Sequence, residues 1–377
     1  DYKTGLFTSC KHEYTCSYKH ITNIDSNEIS SYKVAAFDIE CDSSHGDFPQ
    51  PNKNFKKLAQ DVYDSYQAML KNSSESERLK INKDLPQKLL LLIESGFTGI
   101  FQSTTAYKYA NMNQVITTNN EQPSPEIYKN IIDEIVNLGL NNIIMDINST
   151  NKERDKCIND IQDIIHGECQ RINITVEGDP IIQIGTVFYD IGTGHFNRHI
   201  IVIAPQDNLD DQEICADLDN IIVQRCKSEK ELLMAWAKII REQDPDFVTG
   251  YNIFGFDFKY IGERAKILFP CLHKCNDYFH VKGCPYKDFM NFGKMNTQPF
   301  KAGEHKCKKC TMKEQKLSSN ALGDNTLHYI TMDGRILFDI QKEVHKGHNL
   351  ESYKLDNVAA HFMRGKLKDI NDRDIVV

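Results

Sequence analysis

Residues 34–40, Val34-Ala35-Ala36-Phe37-Asp38-Ile39-Glu40, read as a buried strand that ends in acids. Side chains two positions apart on a strand point to one face, so Asp38 and Glu40 share a side. Unpaired carboxylates at the end of a buried strand resist desolvation and destabilise any fold that offers them nothing in return. A divalent cation removes that cost, and oxygen-only ligands suit Mg2+ or Mn2+ better than Zn2+. The segment therefore restricts the chain to folds in which this strand end meets a cation and a further acid. Asp257 is the candidate for that acid. It follows Tyr251-Asn252-Ile253-Phe254-Gly255-Phe256 and opens a helix whose Phe258, Ile261, Ala265 and Leu268 lie on one apolar face. In the first helical turn the backbone dipole favours its anionic form. A strand Asp-x-Glu with a helix-borne Asp is a layout for two-metal phosphodiester hydrolysis. Read singly, Asp-x-Glu also arises by chance, and Asp257 also reads as an ordinary charge at a helix start.

The rest of the chain predicts alternating strands and helices, hence an α/β core with a mixed sheet. Strands are expected over 181–189 and 199–204, joined by a hairpin turn at 190–194, with further strands over 247–250 and 335–340. Ser228 and Glu231 have capping-box spacing before a helix with Leu232, Leu233, Trp236, Ile239 and Ile240 on its apolar face. Helices follow over about 256–268 and 350–362. Residues 51–176 differ. Apolar spacing predicts helices over 55–70, 85–97, 125–140 and 153–165, separated by polar tracts at 71–77, 117–121 and 148–152 that read as mobile linkers. This is a largely helical insertion. Residues 1–30 have no clear period.

The net charge of −8 does not advertise a nucleic-acid binder, but it is unevenly spread. Residues 259–316 hold 13 Lys/Arg against 5 Asp/Glu, whereas residues 177–219 hold 9 acids and one Arg. The basic stretch could follow a phosphate backbone or be a solvated loop. No apolar run approaches the ~20 residues of a membrane span, and no signal peptide is evident. Twelve cysteines without such a signal point to a reducing, intracellular setting. Five of them, Cys271, Cys275, Cys284, Cys307 and Cys310, cluster in the basic stretch. Cys307-x2-Cys310 with Cys271-x3-Cys275 could hold a structural Zn2+, with His273, His305 or Cys284 as substitutes; reduced thiols in a loop are the alternative. Neither Asp1 nor Val377 reads as a natural terminus, so a piece of a longer protein is expected.

Ala36-Phe37-Asp38-Ile39-Glu40-Cys41 resembles the first exonuclease motif of family-B DNA polymerases, and residues 246–257 with Tyr260-Ile261 and Arg264-Ala265 resemble the second. Residues 178–184, 228–236, 334–339 and 352–362 are similar to further segments of that family. Residues 316–325 are similar to the delta-type polymerases of giant nucleocytoplasmic DNA viruses. The resemblance covers about residues 31–50 and 177–372.

It implies an RNase H-like 3′-5′ exonuclease fold over 31–50 and 177–377, preceded by the tail of an N-terminal domain (1–30). It implies proofreading hydrolysis of mispaired primer ends during DNA replication. Asp38, Glu40 and Asp257 become catalytic metal ligands for a pair of Mg2+ or Mn2+ ions. Tyr251, Asn252 and Phe256 are expected to line the cleft for the frayed end, and Phe48 to stack on a terminal base; as bare residues, the aromatics also read as core. In the family the region before Gly334-Arg335 often carries a β-hairpin that helps part primer from template. DNA is the expected partner, a sliding clamp a further one in the longer protein, and a viral replication factory or host nucleus the expected location. A stand-alone exonuclease and a catalytically incomplete DNA-binding scaffold are the alternatives.

The family's third motif, Tyr-x3-Asp, is expected beyond Asp374. Tyr329-x3-Asp333 has the spacing, but Asp333-Gly334 reads as a turn before a strand and stands too early. The polymerase motifs Ser-Leu-Tyr-Pro and Asp-Thr-Asp are absent from the sequence. The chain alone is therefore expected to be a weak or inactive nuclease.

Overall fold

In the computed structural model β1 (Lys33–Cys41) lies inside a six-stranded sheet of order β4-β3-β2-β1-β5-β8. Residues 14, 16–27, 30–43, 48–100, 112–204, 216, 218–270, 285–295, 312–319 and 323–363 are described. The other strands are β2 (Ile181–Asp190), β3 (Phe196–Ile203), β4 (Ile221–Cys226), β5 (Phe247–Gly250) and β8 (Ile336–Asp339). β2 pairs antiparallel with both β1 and β3, while β1–β5, β5–β8 and β3–β4 are parallel. So β2 alone runs against the rest, and β1, β5 and β8 end at one carboxyl edge. A separate antiparallel pair, β6 (Met312–Ser319) and β7 (Gly323–Ile330), forms a hairpin.

Ala35, Phe37 and Ile39 bury one face of β1, which leaves Asp38 and Glu40 exposed on the other. On the buried face lie α7 (Glu229–Gln243) and α8 (Asp257–Leu268). The Phe37 ring sits 5.0 Å from that of Trp236 and 5.3 Å from that of Phe258. Burying a side chain of this size contributes about 2–3 kcal/mol. The Trp236 indole N–H donates to Thr186 Oγ1 at 3.3 Å, so its polar end is satisfied. Among the described residues three further helices belong here: α9 (Pro285–Met290), α10 (Ile340–Gly347) and α11 (Leu355–Met363).

Several expectations shift by local chemistry. Ser228 accepts from the Glu231 amide at 3.3 Å, but Glu231 reaches back to the Lys227 amide at 2.9 Å rather than to Ser228. The helix expected from Leu350 begins at Leu355. Before it, Leu350 N donates to Tyr353 Oη at 3.3 Å, which holds this stretch as a strap. Asp333 lies ahead of β8, where Gly334 (φ 88°) turns the chain, at the end of the strand away from the carboxyl edge. Tyr329 lies on β7 and Asp333 in the turn after it, so the Tyr329-x3-Asp333 spacing runs from a strand end into a turn.

Residues Ser43–Asp179 form a second compact unit, wider at both ends than 51–176. It holds α1 (Lys56–Lys71), α2 (Glu75–Lys83), α3 (Leu85–Thr98), α4 (Pro125–Asn137), α5 (Leu140–Met145) and α6 (Asn151–Arg171). Its apolar core is its own, with Tyr63, Tyr66, Leu89, Ile131, Ile161 and Ile165 almost wholly buried. Two of the tracts read as linkers start helices instead. Ser74 with Glu77 opens α2 and Thr150 with Glu153 opens α6, each through a reciprocal capping box. The helix expected over 125–140 breaks at Gly139, whose φ of 70° suits glycine and precedes the restart as α5. The ends of the unit meet: Asp179 N donates to Gln50 O at 2.8 Å, and Asp179 accepts from Gln50 N and Lys53 Nζ at 2.9 and 2.5 Å.

Candidate active site

Asp257 is the first residue of α8 and only 2% exposed. Its Oδ1 accepts from Ile39 N at 3.3 Å, so the carboxyl is fixed to the backbone of β1 between the two strand acids. Its carboxyl group is within hydrogen-bonding reach of that of Asp38. Burial pushes the Asp257 carboxyl up to about 8; the negative charge of Asp38 adds to the rise, and the Ile39 N–H opposes it. A carboxyl buried beside an anionic neighbour resists ionising.

The structure thus brings Asp38 and Asp257 together. Glu40 stands two residues along on the Asp38 face, exposed. Among the described residues no three His, Cys, Asp or Glu side chains converge tightly enough to hold an ion by themselves. The pair still fits a hard cation: its donors are all oxygen, and the buried Asp257 carboxyl lies against that of Asp38. Mg2+ is commonly held by one or two carboxylates, with waters and substrate phosphates completing its shell.

The loop between β5 and α8 sets the position of Asp257. Gly250 ends β5 against β1, where a Cβ would stand 2.5 Å from Phe37 O and 2.5 Å from Ile253 Cγ2. No larger residue fits that approach. Asn252 takes a left-handed φ of 60°, and the chain then folds into α8, with Phe258 N donating to Ile253 O at 3.0 Å. Phe254 stacks on Phe258 with centroids 6.2 Å apart. The half-buried Tyr251 donates its hydroxyl to Tyr353 O at 2.6 Å, and burial raises its pKa. Phe256 is half-buried against Tyr260, with centroids 5.3 Å apart. Phe48 belongs to the helical unit and is 73% exposed. Cys271, Cys275, Cys307 and Cys310 lie outside the described residues.

Two further acids matter that sequence reasoning did not single out. Asp339 ends β8 at 1% exposure; its Oδ1 accepts from Asn252 N at 2.9 Å and Gln341 N at 3.0 Å, and its Oδ2 from Phe254 N at 3.0 Å. The signal was present: Leu337-Phe338-Asp339 repeats the apolar-then-acid pattern of Ala36-Phe37-Asp38. Glu229 forms a buried pair with Arg264, with contacts of 2.5–3.1 Å, and also accepts from Ile181 N at 2.9 Å. That joins α7, α8 and β2 and fixes the helix that carries Asp257. Cys41, hydrogen-bonded to Tyr260, has its thiol pushed up to about 12, chiefly by burial, so it is a poor thiolate beside the acids.

A family model for DNA polymerase family B, exonuclease domain, matches residues 3–134 and 146–358. A DNA polymerase of Pyramimonas orientalis virus is 31% identical over 394 residues, which cover 98% of this chain and 29% of the viral protein. A DNA polymerase of Phaeocystis pouchetii virus is 27% identical over 398 residues, covering 97% of this chain and 36% of its own length. The DNA polymerase delta catalytic subunit of Arabidopsis thaliana is 29% identical over 198 residues, 51% of this chain and 14% of the plant protein. The chain spans about a third of the length of the two viral relatives. No helix among the described residues is long and apolar enough to cross a membrane.

Proposed function

The chain belongs to the DNA polymerase family B exonuclease domain family, and on that premise we propose that Asp38 and Asp257, with Glu40, carry 3′-5′ hydrolysis of mispaired primer ends. Family-B exonuclease domains are generally dependent on divalent metals. The single observation that carries the assignment is the pairing of the buried Asp257 carboxyl with Asp38 at the carboxyl edge of β1 and β5. Edges of this kind are where open α/β sheets place their ligands.

Bound Mg2+ or Mn2+ would activate the attacking water and stabilise the departing 3′ oxygen. Asp257 is held on the Ile39 amide beside Asp38, and Glu40 extends the acidic face. Tyr251, Asn252 and Phe256 stand on the loop that leads into Asp257, where they would line the path of a single-stranded 3′ end, and the exposed Phe48 would stack on a base. The β6–β7 hairpin, with Lys313 and Lys316 exposed, is suited to part primer from template. As part of a DNA-directed DNA polymerase, the domain would act on primer-template DNA during viral replication inside the host cell, in a replication factory or the nucleus, with a sliding clamp as partner. A Zn2+ held by Cys271, Cys275, Cys307 and Cys310 belongs to the same proposal.

The test is digestion of a 5′-labelled single strand by this chain. Slow or undetectable 3′ shortening is expected, and any shortening should need Mg2+ or Mn2+ and be lost in Asp38→Ala and Asp257→Ala. Hydrolysis that survives both substitutions would remove these acids from the reaction. Vigorous hydrolysis by the unaltered chain would overturn the expectation of a weak nuclease.

A further inference from the structure

We propose that Asp339 is the positioning residue of this site: its buried carboxylate holds the β5–α8 loop, and through it Asp257 and Tyr251, in working geometry. The inference rests on the reading of Asp38 and Asp257 as the reacting acids. Asp339 ends a strand at the same carboxyl edge as Asp38, so it could be taken for another cation ligand. Its contacts argue otherwise. At 1% exposure, both oxygens are occupied by backbone N–H groups at 2.9–3.0 Å.

Those amides belong to different elements. Asn252 and Phe254 flank the turn that the left-handed Asn252 creates, and amides in such a turn form a concave nest for an anion. The Gln341 amide lies in the first turn of α10, which Asp339 caps. One carboxylate thereby ties the loop before Asp257 to α10. From α10 the link returns to the loop. Gln341 Nε2 donates to Tyr353 O at 3.5 Å, the carbonyl that also accepts from Tyr251 Oη at 2.6 Å. Tyr353 is itself held by its hydroxyl on His348 O at 2.7 Å and by stacking 3.4 Å from the His345 ring. The loop is gripped at its backbone and at its Tyr251 side chain by one acid and the helix it caps. A loop closed in this way needs no reordering when a 3′ end arrives, which is the preorganisation that in-line hydrolysis requires.

The test compares Asp339→Ala and Asp339→Asn with the unaltered chain by site-resolved amide hydrogen exchange and by single-strand hydrolysis. Charge-assisted bonds are strong, so Asp339→Ala should lower protection at Asn252, Phe254 and Gln341 by about tenfold or more, with protection in β2 and α7 unchanged. Asp339→Asn keeps one acceptor oxygen; it should restore Asn252 and Gln341 and leave Phe254 exchanging fast. In hydrolysis, Asp339→Ala should lower kcat by about tenfold or more, and the Asn variant should recover part of it. Unchanged protection at Asn252 and Phe254 in both variants would overturn the role of Asp339, as would full protection with an Asp339→Asn rate equal to that of Asp339→Ala. If Asp339→Ala does not fold, the Phe254-specific loss in Asp339→Asn decides. If the unaltered chain hydrolyses nothing, the exchange data still decide whether Asp339 holds the loop.

Discussion

Replacing Asp257 by Asn should stabilise the metal-free protein at neutral pH while removing its chemistry. The folded state keeps a proton on the buried Asp257, pushed up to about 8 by burial and by Asp38, that the unfolded chain releases near the ordinary value of 3.8. Its contribution to stability is therefore full below the unfolded value and falls as the pH rises toward about 8. Each pH unit in that window costs about 1.4 kcal/mol, so between pH 3.8 and pH 7 the loss is on the order of 4 kcal/mol. Asn keeps an oxygen for the Ile39 amide and carries no charge, so Asp257→Asn should lack this slope.

Trp236, the one tryptophan of the chain, is fully buried against Phe37, so its fluorescence reports the unfolding of this unit. Urea denaturation in EDTA at pH 5 and pH 8 should show the unaltered protein losing several kcal/mol relative to the variant. Added Mn2+ should restore the unaltered protein at pH 8 and leave Asp257→Asn unmoved, because the cation takes the place of the proton. Parallel pH dependence in the two proteins would refute the claim that the buried Asp257 carboxyl lies against Asp38 in a cation-seeking site.

Arg264→Met strands the buried Glu229 carboxylate, and breaking such a pair costs about 3–5 kcal/mol; an unchanged urea midpoint for Trp236 would count against the pair as a fixture of α8. Gly250→Ala places a methyl 2.5 Å from Phe37 O and should cost about 1–3 kcal/mol by overpacking. The same fluorescence titration measures it, and a neutral result would mean that β1 and β5 part freely at their carboxyl edge.

Much of the candidate site was legible because its signals are local. Continuous apolar residues before Asp38, the Asp-x-Glu spacing and the apolar face of α8 each arise from neighbouring residues obeying strand or helix geometry. The capping serines and threonines show the limit of reading by composition. Ser74 and Thr150 lie in tracts whose polarity suggests linkers, yet each opens a helix because a glutamate three residues on completes its hydrogen bonds.

The one-dimensional pattern determined which strands end in acid, that the fold is α/β, and that residues within 51–176 are helical. Only the folded chain decided which acids meet. Asp257 Oδ1 lies on the amide of Ile39, 218 positions away in sequence, while Glu40 remains on the open face and Asp339 is turned inward to hold backbone. Periodicity assigns a side chain to a face of its own element. Which element lies against that face, and whether a carboxylate there finds another carboxylate or a row of N–H groups, depends on pairing across the sheet.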